Sequence, residues 1–152
     1  MTLNKSKGIL EVENNMEKPD IVIANDINKV ELHETLLLSE LQCPHCKQTM
    51  IHPKLLKAWI KLRDRVGQPI IINSGFRCWE YHKQLYQRNH PTDWKEEITK
   101  QSYHLKGMAL DLPVPHPLSI GEFVNLAQWA GFTYVYVIDS NPLDGDIHVD
   151  VR

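Results

Sequence analysis

Residues 102–111, SYHLKGMALD, place a histidine and an aspartate seven positions apart, at His104 and Asp111. A second segment near the C-terminus, Asp146–Asp150 (DIHVD), places His148 between two carboxylates. Two imidazoles and one carboxylate are a ligand set suited to catalytic zinc, which takes three protein ligands and keeps a fourth position for water. The two segments together therefore predict a zinc centre formed by His104, Asp111 and His148.

The predicted C-terminal strand explains why its polar residues form one group. Side chains alternate between the two faces of a strand, so Asp146, His148 and Asp150 lie on the same face. If His148 binds the metal, one flanking carboxylate can take a proton from the metal-bound water, and the other can hydrogen-bond a ligand. A cation beside the metal can hold an oxyanion or a substrate carboxylate, and Arg77 is the candidate for this role.

The same pattern also has a structural interpretation. A histidine and an aspartate at this spacing occur together by chance in many sequences. A single histidine on a strand is more often a core or surface residue than a metal ligand. From residue types alone, the zinc centre and a purely structural role both stay open.

The composition is that of an ordinary soluble globular protein. The chain has 152 residues, 42% hydrophobic and 24% charged, which suits one domain with its own core. A net charge of −2 without a long basic run argues against nucleic acid as the partner, and we expect a monomer. No apolar run is long enough to span a membrane. Residues 1–15 lack the apolar core of a secretory signal, which predicts synthesis in the cytoplasm.

Hydrophobic periodicity and capping signals predict a mixed α+β fold with a largely antiparallel sheet. Helices are expected from Pro53 to a cap at Gly67, over residues 79–88, and from a capping box at Ser119 and Glu122 to Gly131. Short β-branched runs predict strands at residues 21–24, 69–73, 108–112, 133–138 and 147–151, with the last two forming an antiparallel hairpin. Residues 89–100 are typical of a loop, and they lie where they could cover the site.

The three cysteines have two interpretations. Cys43 and Cys46 form a CxxC pair, and Cys78 or His52 could complete a second zinc site with them. A single CxxC is also compatible with buried free thiols in a packing cluster, which is the interpretation we favour from the sequence. Three cysteines do not form a closed disulfide framework, which suits a reducing compartment.

Three segments carry a family resemblance: residues 72–78 (INSGFRC), 102–111 (SYHLKGMALD) and 147–150 (IHVD). In this order they resemble the zinc D-Ala-D-Ala carboxypeptidase family, and more closely its compact branch of phage endolysins, phage tail proteins and murein endopeptidases. The superfamily also includes lysostaphin-type peptidases and the hedgehog signalling domain. The similarity extends to the C-terminus, so residues 36–152 are interpreted as a zinc peptidase-like domain and residues 1–35 as a poorly ordered or partly extended arm.

The resemblance implies a site, a reaction and a fold. It implies zinc held by His104, Asp111 and His148, with Arg77 contacting the substrate carboxylate or the transition state and Ser102 next to the metal. It implies hydrolysis of peptide bonds in peptidoglycan stem peptides or cross-links, which contain D-amino acids. It also implies a small, largely antiparallel sheet with helices packed on it, and action at a bacterial cell wall.

The chain departs from the family at the catalytic base. Many relatives carry an acidic base three positions before the last zinc histidine, where this chain has Gly145. Others carry a second histidine two positions before it, where this chain has Asp146. We therefore predict Asp146 as the base, with Asp144 as the second candidate. His82 stands where relatives of this branch often have asparagine.

Two other functions stay open. The first is a non-catalytic, metal-stabilised binding module, since the hedgehog domain resembles this family. The second is a small dipeptidase or amidase acting on soluble D-peptides. A carboxylate within reach of the metal-bound water favours a peptidase, and an open groove favours the cell-wall polymer over a small peptide.

Overall fold

The architecture is α+β, as the sequence predicts, in a computed structural model that describes residues 31–152. The predicted strand at residues 21–24 and most of the predicted arm lie outside the described residues. The helices within the described part are α1 (Pro53–Val66), α2 (Trp79–Asn89), α3 (Glu96–Thr99) and α4 (Ile120–Ala130). The strands there are β1 (Glu31–His33), β2 (Leu36–Leu37), β3 (Ala109–Pro113), β4 (Tyr134–Asp139) and β5 (Asp146–Asp150).

The main sheet is antiparallel and has β5 in the centre, in the order β3-β5-β4. The predicted hairpin of β4 and β5 is confirmed. Across the sheet, Asp111 of β3 and Tyr136 of β4 both pair with His148 of β5. The register therefore brings three residues of different strands to one level of the sheet.

Alternation along the strands separates the core from the polar residues. Leu110, Leu112, Ile147 and Val149 are buried in the hydrophobic core together with Trp59 and Phe123 of the helices. The intervening residues, Asp111, His148 and Asp150, belong to the opposite face. One face of the sheet thus packs on α1 and α4, and the other face carries the titratable side chains.

The predicted helix ends are confirmed. Helix α1 has a proline in its first turn and ends at Gly67, whose φ of 70° is in the left-handed region. Helix α4 begins with a complete capping box, in which the Ser119 and Glu122 side chains each bond the other residue's backbone N–H.

The predicted strand at residues 69–73 is wrong. This segment forms no strand, and the chain joins the sheet only through a bridge just after it, between Ser74 and Asp111. Asn73 donates its N–H to the Asp111 carbonyl at 2.9 Å, and Asp111 donates its N–H to the Ser74 carbonyl at 2.9 Å. The prediction took the apolar run as a buried strand, but Ile71 is 70% exposed and forms no ladder with the described strands. The segment instead delivers residues 74–78 to the polar face.

Three short elements were not predicted: β1, β2 and α3. Strands β1 and β2 form a small antiparallel hairpin, in which β1 falls inside the predicted arm. Helix α3 forms one turn within the predicted loop at residues 89–100. Across residues 31–152, every helix is too short or too polar to cross a bilayer.

Candidate metal centre

Three different elements position the predicted metal ligands. His104 lies in a short 3-10 helix, Tyr103–Lys106, which Ser102 caps at its start and Gly107 caps at its end. The Ser102 hydroxyl caps this helix by accepting the His104 N–H at 3.3 Å. Asp111 lies in the middle of β3 and His148 in the middle of β5, where the two residues are register partners. The structure thus brings His104, Asp111 and His148 together.

The spacing of the three side chains fits a metal ion. One ligand atom from each lies within 4.8 Å of the other two. Nε2 of His104 lies 3.2 Å from Asp111 Oδ1, and Nδ1 of His148 lies 2.9 Å from the same oxygen. Nitrogen and oxygen ligands of tetrahedral zinc are separated by about 3.3 Å, given metal–ligand bonds of about 2.0 Å. The group could therefore hold a metal ion with little movement.

The hydrogen bonds of His104 direct one ring nitrogen toward the centre. Nδ1 lies 2.7 Å from the Gly75 carbonyl, which can only accept, so Nδ1 carries the proton. Burial lowers the pKa of His104, although Asp111 opposes this effect, and the ring is therefore neutral near pH 7. Nε2 then directs a lone pair at the Asp111 carboxylate. The Nε2 lone pair and the carboxylate repel each other, and a cation between them would remove this repulsion.

His148 lies between two carboxylates. Its Nδ1 faces Asp111, and its Nε2 lies 3.2 Å from Asp150 Oδ2. Asp150 is fully buried, and Arg152 holds it with bonds of 2.9 and 2.6 Å. Burial raises the pKa of Asp150, but Arg152 and His148 outweigh burial and lower it. The Asp150 anion can thus accept the His148 Nε2–H and leave Nδ1 free to bind a metal.

Arg77 is also at the site, as predicted. Its Nε donates to Ser74 Oγ at 2.7 Å, and its Nη2 forms an ion pair with Asp111 Oδ2. Burial raises the pKa of Asp111, but His104, His148 and Arg77 outweigh it and hold the pKa far below the usual range. Asp111 is therefore an anion whose two oxygens have separate partners, Arg77 on one side and the histidines on the other.

A cavity of about 600 Å³ lies over the three residues. Its wall includes Ser102 and Asp150, two residues predicted to support the site. Tyr136 stacks on His148 with ring centroids 4.7 Å apart, and Tyr134 lies beside it on the same strand. Four cations line the cavity: Arg77, Lys100, Lys106 and Arg152. The cavity thus has aromatic rings and an excess of positive groups around the metal centre.

The two predicted bases lie away from this lining. Asp146 accepts a hydrogen bond from Asn73 Nδ2 at 3.1 Å, and Asp144 is exposed in the turn before β5. Neither residue is part of the cavity wall. Burial raises the pKa of Asp146, and the charges of Asp139, Asp111 and Asp144 add to the effect. Asp146 is thus close enough to Asp111 to be influenced by its charge.

The backbone explains why position 145 has no acidic side chain. A Cβ on Gly145 would lie 2.8 Å from the carbonyl oxygens of Asn141 and Asp139. The Gly145 carbonyl also accepts the Val114 N–H at 2.8 Å, which ties the turn to the end of β3. An acidic side chain at position 145 is therefore incompatible with the turn between β4 and β5.

Several residues of the cavity wall were not predicted as functional: His82, Lys100, Lys106, Tyr134, Tyr136 and Arg152. His82 of α2 is buried, and neither ring nitrogen has a hydrogen-bond partner. Burial lowers its pKa to about 4, and the charge of Arg77 adds to the effect, so the ring is neutral. The one sequence feature that pointed to His82 is that the family that the chain resembles often has asparagine at this position. No sequence pattern indicated a role for Tyr136, because its contact with His148 depends on the pairing of β4 with β5.

A second group that could hold a metal ion consists of Cys43, Cys46 and Cys78, with ligand atoms again within 4.8 Å of one another. All three are free thiols, and Cys43 is fully buried while the other two are partly exposed. Burial raises the pKa of Cys43, but backbone N–H groups directed at its sulfur outweigh burial and lower it.

Searches of protein-family models and of curated proteins found no match to this chain. Support for a function therefore comes from the residues of the two groups and their surroundings.

Proposed function

We propose that the protein is a zinc metallopeptidase that hydrolyses peptide bonds in peptidoglycan stem peptides or cross-links. The observation that carries this proposal is the orientation of two imidazoles around one carboxylate. Nε2 of His104 and Nδ1 of His148 both face Asp111 Oδ1. The other nitrogen of each ring faces a fixed acceptor, the Gly75 carbonyl or the Asp150 carboxylate. Such outer partners orient histidine ligands in metal sites.

Zinc suits this donor set better than other common metals. Two imidazoles with one carboxylate are typical of catalytic zinc, whereas calcium and magnesium prefer oxygen ligands. When bound, zinc would lower the pKa of a water molecule to about 7 and polarise the peptide carbonyl.

The proposal assigns roles to Asp146 and Arg77, although Asp146 lies outside the cavity wall. Asp146 lies two positions before His148, and its raised pKa makes it a better proton acceptor than an ordinary aspartate. In the proposed reaction, it accepts the proton of the attacking water and transfers it to the leaving amine. Arg77 orients Asp111 and presents positive charge where the carbonyl oxygen becomes anionic.

The cavity wall supports an acidic peptide as the substrate. Lys106 adds a positive group to it, and stem peptides carry free carboxylates. Arg77, Lys100 and Arg152 also line the cavity but already pair with carboxylates of the protein. Tyr134 and Tyr136 offer flat surfaces to the peptide backbone. The preference for D-amino acids and the action at a cell wall rest on the family resemblance.

Two other functions remain as alternatives. A metal-stabilised binding module is favoured by one observation, because neither Asp146 nor Asp144 lines the cavity. A dipeptidase on small soluble D-peptides would use the same residues. The two alternatives differ in the products they predict: none for the module, and products from free dipeptides alone for the dipeptidase.

The test is a digest of purified peptidoglycan by the zinc-loaded protein, analysed by mass spectrometry. We expect new stem-peptide fragments that a chelator abolishes. Arg77→Ala should keep its metal and lose turnover on the order of 100-fold, as expected for a lost transition-state donor. Absence of fragments from several wall types, with zinc bound at the His104 site, would contradict the proposal.

A further inference from the structure

We propose that Cys43, Cys46 and Cys78, together with His45, form a second zinc site with a structural role. This site shares no ligand with the His104 group, and the inference does not depend on the proposed peptidase activity. It replaces the interpretation of the thiols as a packing cluster.

The geometry of the three thiols fits three corners of a closed tetrahedral site. The three sulfurs lie within 4.8 Å of one another. Sulfur ligands of tetrahedral zinc are about 3.8 Å apart, given zinc–sulfur bonds of about 2.3 Å. Nδ1 of His45 lies 3.3 Å from the Cys78 sulfur but not within 4.8 Å of all three sulfurs, so the imidazole would supply the fourth ligand after a small movement. Three thiolates and one histidine are a common structural zinc set.

The segment from Cys43 to Gln48, which contains the CxxC pair, is a turn closed by backbone hydrogen bonds. Lys47 donates its N–H to the Cys43 carbonyl at 3.0 Å, and Cys43 donates its N–H to the Gln48 carbonyl at 2.9 Å. Lys47 has a φ of 61°, an uncommon conformation for a residue with a side chain. The Gln42 side-chain amide donates to the Lys47 carbonyl at 2.7 Å and holds the turn closed.

A backbone donor also supports charge on the sulfur. The Cys78 N–H donates to Cys43 Sγ at 3.4 Å, across 35 residues of sequence. Such a bond favours the thiolate, which is the form that binds metal. A soft thiolate set selects zinc over calcium or magnesium.

The proposed site would hold the segment that carries Arg77. Cys78 is the residue before α2 and the neighbour of Arg77. On the other side, Phe76 donates its N–H to the Leu41 carbonyl at 3.1 Å, just before Cys43. Arg77 donates its own N–H to the His104 carbonyl at 3.2 Å. A metal at the cysteines would thus hold Cys78 in place. The adjacent Arg77, which contacts the His104 centre, would be held with it.

The test is the metal content of the full chain after zinc loading and gel filtration, measured by inductively coupled plasma mass spectrometry. We expect two zinc ions per chain in the wild type and one in each of Cys46→Ser and His104→Ala. Cobalt(II) in place of zinc should give thiolate-to-cobalt charge-transfer absorption in the wild type and in His104→Ala, and none in Cys46→Ser. The His104→Ala arm separates this site from the proposed catalytic centre.

His45 is tested by competition with a zinc chelator. His45→Ala should lose affinity for the cysteine-bound ion by more than the roughly 10–100-fold cost of removing an outer-shell partner. His116→Ala, which removes an exposed histidine outside both groups, should have no effect. Equal affinities in these two variants would exclude His45 as the fourth ligand.

A mercurial titration of the wild type tests the thiols without a substitution. Modification of the three cysteines should release one zinc ion. Absence of both this release and the cobalt–thiolate absorption would overturn the site, as would a disulfide among these cysteines in zinc-loaded protein purified with a reductant.

Discussion

Asp111 is the residue on which the contacts of the candidate centre converge. One of its oxygens faces His104 and His148, and the other pairs with Arg77. The three partners come from three parts of the chain, and Asp111 reaches them from the middle of a strand. Its carboxylate therefore determines how the two imidazoles are oriented relative to each other.

The catalytic base can be assigned by a matched pair of substitutions. Asp146→Asn should retain the metal and lower turnover by about 10²–10⁴-fold, because it removes a general base. Asp144→Asn is the control, since this exposed side chain lies in the preceding turn. Rates are compared on peptidoglycan at equal zinc content. Near-normal turnover of Asp146→Asn, with loss in Asp144→Asn, would reverse the assignment.

Asp150 should act through His148. Asp150→Asn removes the anion that accepts the His148 Nε2–H, so zinc affinity at the His104 site should fall by about 10–100-fold. The dissociation constant is measured by chelator competition in Cys46→Ser, where the other proposed site is absent. Asp93→Asn is an exposed control. An unchanged constant in Asp150→Asn would show that His148 binds the metal equally well without the Asp150 anion.

At the residue scale, sequence reasoning grouped three residues that the structure brings together. His104, Asp111 and His148 were chosen from their residue types and the family resemblance, and their ligand atoms lie within 4.8 Å of one another, while metal binding stays a prediction. Tyr136 and His82 were missed because one depends on strand register and the other on the packing of α2 against the site. Such contacts are set by tertiary structure, which spacing does not encode.

At the element scale, the 3-10 helix that carries His104 depends on Gly107, the residue that caps its C-terminal end. Gly107 has a φ of 64°, and a Cβ there would lie 2.5 Å from the Met50 carbonyl oxygen. Its own carbonyl accepts the His52 N–H at 2.8 Å. The glycine thus allows the backbone of the metal-ligand segment to pack directly on the segment before α1.

Gly107→Ala should therefore destabilise the protein much more than Gly67→Ala. Both glycines are left-handed, and an alanine there costs roughly 1–2 kcal/mol. Position 67 has open space around it, whereas position 107 adds an overlap that typically costs about 1–3 kcal/mol more. The free energy of unfolding is measured with urea for both variants. Equal losses would mean that the Met50 segment moves away freely.

Helices were predicted more accurately than strands for a physical reason. Helix α4 carries its own signals, a capping box at Ser119 and a terminal Gly131. A strand depends on a partner that the sequence does not name, so the apolar run at residues 69–73 was assigned to the sheet although only Ser74 bridges to it. The β1–β2 hairpin was missed because its strands are only two or three residues long.

At the scale of the whole molecule, the two candidate metal-binding groups are linked through the neighbouring residues Arg77 and Cys78. The Cys78 residue belongs to the cysteine group, and the adjacent Arg77 contacts Asp111 of the His104 group. A change at one group can therefore reach the other through a single peptide bond. The helices on the opposite face of the sheet provide the core that holds this arrangement.

Zinc removal should lower the stability of the whole domain. A ligand that binds only the folded state stabilises it by about 2.7 kcal/mol at a concentration 100 times its dissociation constant. We expect a chelator to lower the melting temperature of the wild type and to have less effect on His148→Ala. Calorimetry with and without excess zinc measures this shift. A melting temperature independent of zinc and chelator would mean that neither group binds the metal in the folded state.

The most direct measurement of the central claim is reconstitution of the zinc-free protein. Zinc is added in steps, and the new amino groups released from purified peptidoglycan are counted alongside the zinc bound at the His104 site. The account predicts that amine release rises in proportion to occupancy of this site and that His148→Ala releases none. Full occupancy of the site without amine release, or equal release by His148→Ala, would contradict it.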